Sequence, residues 1–128
     1  MPLNSVSVAP RTNASQEAEA RALRQLADIV YEGGKCRTAI FDGAEDPWFP
    51  VEENEEVLDA LATAACAGCP VIAECLEMTL RLEATLSRTH IVGIFGGLPG
   101  HRRWDLRQAR EKAAKQAGEL AAAEQAVA

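Results

Sequence analysis

The chain has 128 residues, 48% of them apolar, and a net charge of −6. That length suits one domain plus tails, and the acidic balance argues against a general nucleic-acid binder. With only six aromatic residues the core must be small, and such chains often need a metal or disulfide staple. Residues Met1 to Asn13 carry no apolar run of the secretory kind. No stretch of about eighteen apolar residues exists to span a bilayer, so no membrane association is expected. Cytoplasmic residence is the default expectation. Thiols stay reduced there, so Cys36, Cys66, Cys69 and Cys75 read as metal ligands or redox groups before structural disulfides.

In chain order, residues 1–14 read as a disordered arm of small and polar residues. A first helix is expected from about Ser15, where Leu23, Leu26, Ile29 and Val30 recur at helical spacing and Gly33-Gly34 supply a stop. Residues 35–51 read as a loop broken by Gly43, Pro47 and Pro50. A second helix is expected over about Glu52 to Ala65, its acidic first turn suiting the positive end of the helix dipole. Cys66-Ala-Gly-Cys-Pro is a turn, with Pro70 suited to the first position of a third helix that runs to about Leu86. Gly93 to Gly100 form a glycine-rich turn, and an alanine-rich fourth helix begins near Arg102, weakened at Gly118. The fold class is all-α: a small domain of about three helices around a four-cysteine centre, then a glycine turn and a basic C-terminal helix. The expected division is an arm over 1–14, a centre-binding domain over 15–100 and a basic tail over 101–128.

The cysteines are spaced Cys-x29-Cys-x2-Cys-x5-Cys. Cys66 and Cys69 flank a tight turn and Cys75 lies little more than a helical turn beyond, so the three can reach one centre. Cys36 must return from the loop after the first helix, and a shared centre would tie that helix to the next two. Zinc sites usually pair two close Cys-x2-Cys knuckles, and only one exists here. Three near cysteines plus a distant one suit an iron–sulfur cubane better. A zinc-stapled adaptor stays open as an alternative, as does a thiol–disulfide reductase working through Cys66 and Cys69. No nucleophile–base pair, P-loop or zinc-protease helix is visible, so no catalytic residues are assigned and no enzyme is expected.

Cys66-Ala-Gly-Cys-Pro-Val-Ile-Ala-Glu-Cys-Leu, followed by Gly93-Ile94-Phe95-Gly96-Gly97-Leu98 and a basic tail, resembles the WhiB-like family of actinobacterial transcription regulators. Pro47-Trp48-Phe49-Pro50 is similar to the family's aromatic–proline motif, and the likeness covers roughly residues 36–112. It implies a [4Fe–4S] cluster on Cys36, Cys66, Cys69 and Cys75. It also implies docking on the C-terminal domain of the primary sigma factor of RNA polymerase, with the basic tail on promoter DNA. Oxygen or nitric oxide sensing through the cluster would follow from exposed iron. The family's turn usually carries Trp where this chain has Phe95, and the gap of 29 residues after Cys36 is longer than usual.

Several other features bear on partners. Three glycines around Phe95 permit positive φ, and with the resemblance Phe95 is expected to project outward as an anchor, with Gly93, Ile94, Gly96 and Gly97 forming its platform. Trp48 and Phe49 are suited to cover the centre and to meet a partner, one ring inward and one outward. Eight carboxylates between Asp42 and Asp59, with no Lys or Arg among them, suit a basic protein surface or a plain solvated face. Arg103, Arg107 and Arg110 share one helix face at i, i+4, i+7, and Arg102, Lys112 and Lys115 widen it into a candidate phosphate-contacting patch. Trp104 is expected to pack inward. His90 and His101 read as ordinary loop residues.

Overall fold

A computed structural model describes residues 12–39 and 45–127. Among these residues the chain is helical without a named strand: α1 (Asn13–Gly33), α2 (Lys35–Thr38), α3 (Glu55–Cys66), α4 (Ile72–Leu82), a single 3-10 turn (Arg88–His90) and α5 (Gly100–Val127). The fold is all-α, as the periodicity implies. Most of the expected arm, together with Phe41, Asp42 and Gly43 of the acidic loop, lies outside the described residues.

Helix α1 starts two residues before Ser15 because Thr12 caps it, its hydroxyl accepting the Ser15 N–H at 3.1 Å. Residues 13 and 14 therefore belong to the helix and not to the arm. Its half-buried Leu23, Leu26 and Val30 face the domain, and α1 packs against α4. Gly33 lets the end of α1 approach closely, since a Cβ there would stand 2.9 Å from Val71. The expected loop after Gly34 contains one further helical turn, α2, which carries Cys36.

Asn54 caps α3 by accepting the Val57 N–H at 3.1 Å, and Glu55 and Glu56 occupy its first turn. Three residues expected in this helix, Glu52 to Asn54, precede it. Glu52 instead folds its carboxylate onto the Glu53 and Asn54 N–H groups at 3.1 and 2.9 Å. The turn after Cys66 uses Gly68 at φ 80°, and Cys69 N–H closes it onto Cys66 O at 3.1 Å. Pro70 lies within that turn and not at the first helical position. Val71, at φ −124° and ψ 31°, separates it from α4.

Helix α4 stops at Leu82, a turn short of the expected Leu86. Beyond it the carbonyls of Glu83 and Leu86 accept from the guanidinium of Arg107 on α5, and Glu83 O also accepts the Leu86 N–H at 2.9 Å. Helix α5 begins at Gly100, where Pro99 O accepts the N–H groups of Arg102 and Arg103, both at 3.1 Å. It runs through Gly118 without a break, and residues 108–126 are exposed.

The buried hydrophobic cluster is as small as the composition implies. Ala62, Cys66 and Ile94 form it, with Trp48, Ala65 and Ile72 packed around them. One of the four cysteines thus belongs to the core itself. No described helix is long and apolar enough to cross a membrane.

Candidate metal centre

The four cysteines come from three helices and one turn, and all four line a single cavity. Cys36 is presented by α2, Cys66 by the last residue of α3, Cys69 by the turn and Cys75 by the first half of α4. The cavity holds ≈ 360 Å³ of empty space, part of it open to solvent. Its other walls are apolar side chains and glycine backbone, among them Val30, Trp48, Ile72, Ile94, Phe95 and Gly96. Apart from the thiols, Lys35 is the one ionisable residue on the lining among the described residues. All four thiols are free, and they range from exposed Cys36 to buried Cys66.

The four cysteines are neighbours around one cavity. Among the described residues no three His, Cys, Asp or Glu side chains stand close enough to grip one ion. Their electrostatics still mark them as neighbours. Burial pushes the Cys75 thiol above its ordinary value, and Cys36 and Cys66 push it the same way. The Gly96 N–H and the Thr79 hydroxyl pull it back by favouring the thiolate. Thr79 is itself fixed by donating to Cys75 O at 2.7 Å.

The glycine turn is one wall of this cavity. Gly93, Gly96 and Gly97 all have positive φ, from 62° to 79°, and Phe95 and Leu98 exchange two N–H···O bonds of 3.2 Å. Gly96 lies directly on α4, where a Cβ would meet Leu76 Cα at 2.6 Å. Ile94 N–H donates to Trp48 O at 2.7 Å, which joins the turn to the aromatic–proline loop. Trp48 packs inward on the core cluster, while Phe49 is 50% exposed.

Phe95 does not project outward as expected. It is half-buried, meets Phe49 edge-on at 5.7 Å between ring centroids, and lies 5.2 Å from the Arg103 guanidinium. Ile94 and Gly96 are buried too, so these two serve the core more than a partner-facing platform. The exposed apolar surface beside the turn is instead Phe49, Val51 and Val92. Along it runs a groove whose walls include Glu52, Glu53, Glu55, Arg88 and His101. His101 belongs to α5, not to a loop, with Nε2 at 3.1 Å from Asp59 and 3.4 Å from Glu55.

The basic face of α5 is mostly spent inside the protein. Arg103 has no exposed surface. Its Nε and Nη2 grip the Glu83 carboxylate at 2.9 and 2.8 Å. Its Nη1 donates to Gly93 O and Leu98 O at 2.7 and 2.8 Å, and Nη2 also donates to Val92 O at 2.8 Å. Those five bonds use every N–H an arginine has, so Arg103 cannot meet phosphate. Arg107 is likewise committed to the carbonyls after α4 and stacks over Trp104 at 4.6 Å. Trp104 is half-buried. Arg102 chelates Asp59, whose carboxyl that contact holds below its usual value, and Arg110 pairs with Glu77 at 2.7 Å. Lys112 and Lys115 remain exposed. The spacing shows which arginines share a face but not that the face turns inward.

The family model described as the transcription factor WhiB matches residues 32–106, a span that contains all four cysteines, the aromatic–proline loop, the glycine turn and Arg103. No curated protein matches the chain, and neither does any solved structure. More than half of the sequence falls within that match, and the chain belongs to the WhiB family of transcription factors.

Proposed function

We propose that Cys36, Cys66, Cys69 and Cys75 hold a [4Fe–4S] cluster, and that the holoprotein regulates transcription by docking on the primary sigma factor of RNA polymerase at promoter DNA. The observation that carries the cluster is the gathering of four cysteines, one of them separated from the next by 29 intervening residues, around one apolar cavity. The donor set fits. Thiolates are the soft ligands that iron–sulfur clusters take, and among the described residues no imidazole or carboxylate competes on the lining. Three cysteines close in sequence plus a distant one suit a cubane better than a zinc site, which usually pairs two close Cys-x2-Cys knuckles.

When bound, the cluster supplies a redox- and gas-sensitive iron centre. The chain's own residues do the rest. Trp48, Ile72 and Ile94 limit water on the inner side, and the Gly96 N–H hydrogen-bonds the Cys75 sulfur. Losing the cluster would leave α2, the Cys66–Cys69 turn and α4 with far fewer ties. The expected result is that Cys→Ser at any of the four positions abolishes the brown chromophore of anaerobically purified protein. A full visible spectrum in any one variant removes that cysteine from the ligand set. Colourless wild-type protein with one zinc would support the adaptor reading instead, and dithiol turnover would support the reductase.

For docking, the supporting surface is the exposed Phe49, Val51 and Val92 beside the carboxylates of Glu52, Glu53 and Glu55. Apolar anchors rimmed by acid suit the basic DNA-reading domain of a sigma factor. Phe49→Ala is expected to weaken capture of the primary sigma factor at least tenfold in a pull-down titration, about 1.4 kcal/mol, with the chromophore unchanged. Equal capture by the variant would move the interface elsewhere. Phe95 contributes by holding Phe49 in place. The 101–128 tail is the proposed DNA-contacting part, through Lys112 and Lys115, with Arg102 and Arg110 able to help only by leaving Asp59 and Glu77. Two phosphate contacts give weak, salt-sensitive binding, so promoter choice must come mainly from the sigma factor.

A further inference from the structure

The ligand hardest to place from spacing is Cys36, and the residue before it shows how it is placed. Helix α2 is only Lys35–Thr38. Its local bonds run backwards: Gly34 N–H to Val30 O at 2.8 Å, Arg37 N–H to Gly34 O at 3.2 Å, and the Arg37 guanidinium 3.2 Å from the Tyr31 ring centroid. None of these brings Cys36 toward the other cysteines. One bond does. Lys35 Nζ donates to Ala67 O at 2.8 Å, across 32 residues. Ala67 lies between Cys66 and Cys69, and its carbonyl is freed by the end of α3. Among the described residues this is the only hydrogen bond from α2 to a distant part of the chain.

The same ammonium lies on the wall of the thiol cavity and is the one positive charge there among the described residues. Thiolates gathered around one cavity repel one another. A cation at the rim lowers that cost and favours electron uptake by any group the thiols hold.

We propose that Lys35 is a positioning residue for the metal centre: it clips the Cys36 turn onto the Cys66–Cys69 turn through Ala67 O, and its charge raises the reduction potential of the bound group. This rests on the cluster reading for its second half only. The first half concerns thiols and applies to the metal-free protein.

The test compares wild type with Lys35→Met and Lys35→Arg. In metal-free full-length protein oxidised by diamide, peptide mapping reads the fraction of Cys36 joined to Cys66 or Cys69. Lys35→Met is expected to reduce that fraction several-fold, and Lys35→Arg to restore most of it. In the anaerobic holoprotein, spectroelectrochemistry is expected to show a more negative potential for Lys35→Met, near wild type for Lys35→Arg. Iron loss to a chelator is expected to be several-fold faster for Lys35→Met. Equal Cys36 pairing in Lys35→Met and wild type, or an unchanged potential, overturns the proposal. If wild-type protein binds no cluster, the cluster reading fails by itself, while the pairing assay still decides the clip.

Discussion

Replacing Arg103 with methionine is expected to lower the stability of the domain by about 3–5 kcal/mol. For a domain of this size that is a fall in Tm of roughly 10–20 °C, readable by circular dichroism. Methionine fills much of the same volume, so the loss is mainly electrostatic and not a cavity. The guanidinium is buried with five partners, and removing it strands the Glu83 carboxylate in a site where that side chain is only 11% exposed. It also strands the carbonyls of Val92 and Gly93, while Leu98 O keeps only the Phe95 N–H. Adding Glu83→Leu to Arg103→Met should recover part of the loss by removing the unpaired charge. Full recovery is not expected, because the Val92 and Gly93 carbonyls still lack the guanidinium's donors. Arg103→Lys should fall between, since an ammonium is a point donor and cannot span a carboxylate and three carbonyls together. A loss below 1 kcal/mol for Arg103→Met would mean that water or another cation takes the guanidinium's place.

Gly96→Ala is the second large effect, with an expected cost of about 2–5 kcal/mol. Two penalties combine. The residue sits at φ 62°, which costs an L-residue about 1–2 kcal/mol. The new methyl would also stand 2.6 Å from both Cα and Cβ of Leu76, and overpacking of this sort costs about 1–3 kcal/mol. Leu76 is mid-helix, so its backbone cannot yield without moving Cys75 beside it. Gly97→Ala is the matched control. It has a similar φ of 79°, but its nearest obstacle is the Ile72 methyl at 3.4 Å. Only the conformational penalty should appear there. If both variants lose the same stability, contact with α4 is not what requires Gly96. Where the holoprotein can be prepared, Gly96→Ala should also shed iron faster, because the N–H facing the Cys75 sulfur moves with the turn.

The helices were legible because their causes are local. Apolar residues at 3.6 spacing, an acidic first turn, and glycines after Val30 act within a few residues. The grouping of Cys66, Cys69 and Cys75 was legible for the same reason. What escaped depends on contacts between distant segments. Helix α4 stops at Leu82, and Arg107 from α5 binds the carbonyls of Glu83 and Leu86 beyond it; nothing near Leu86 announces that. A helical wheel groups Arg103, Arg107 and Arg110 but has no inside, so a buried cation looks like a charged surface. Phe95 between glycines has room to face outward; it turns in because Phe49 and Arg103 receive it. Cys36 reaches the others through a lysine and a carbonyl 32 residues apart, a pairing that no spacing rule contains.

The position of Arg103 in the chain also bears on the order of synthesis. Its five acceptors lie between Glu83 and Leu98, and all four cysteines are made before it. A chain growing on the ribosome takes shape from its N-terminal end. It therefore passes through a stage in which every thiol has been translated but the cation that closes the glycine turn has not. Until the first turns of α5 emerge, the carbonyls of Val92, Gly93 and Leu98 lack the guanidinium that gathers them. The glycine turn on the thiol cavity thus stays unclamped in the nascent protein until translation delivers the arginine.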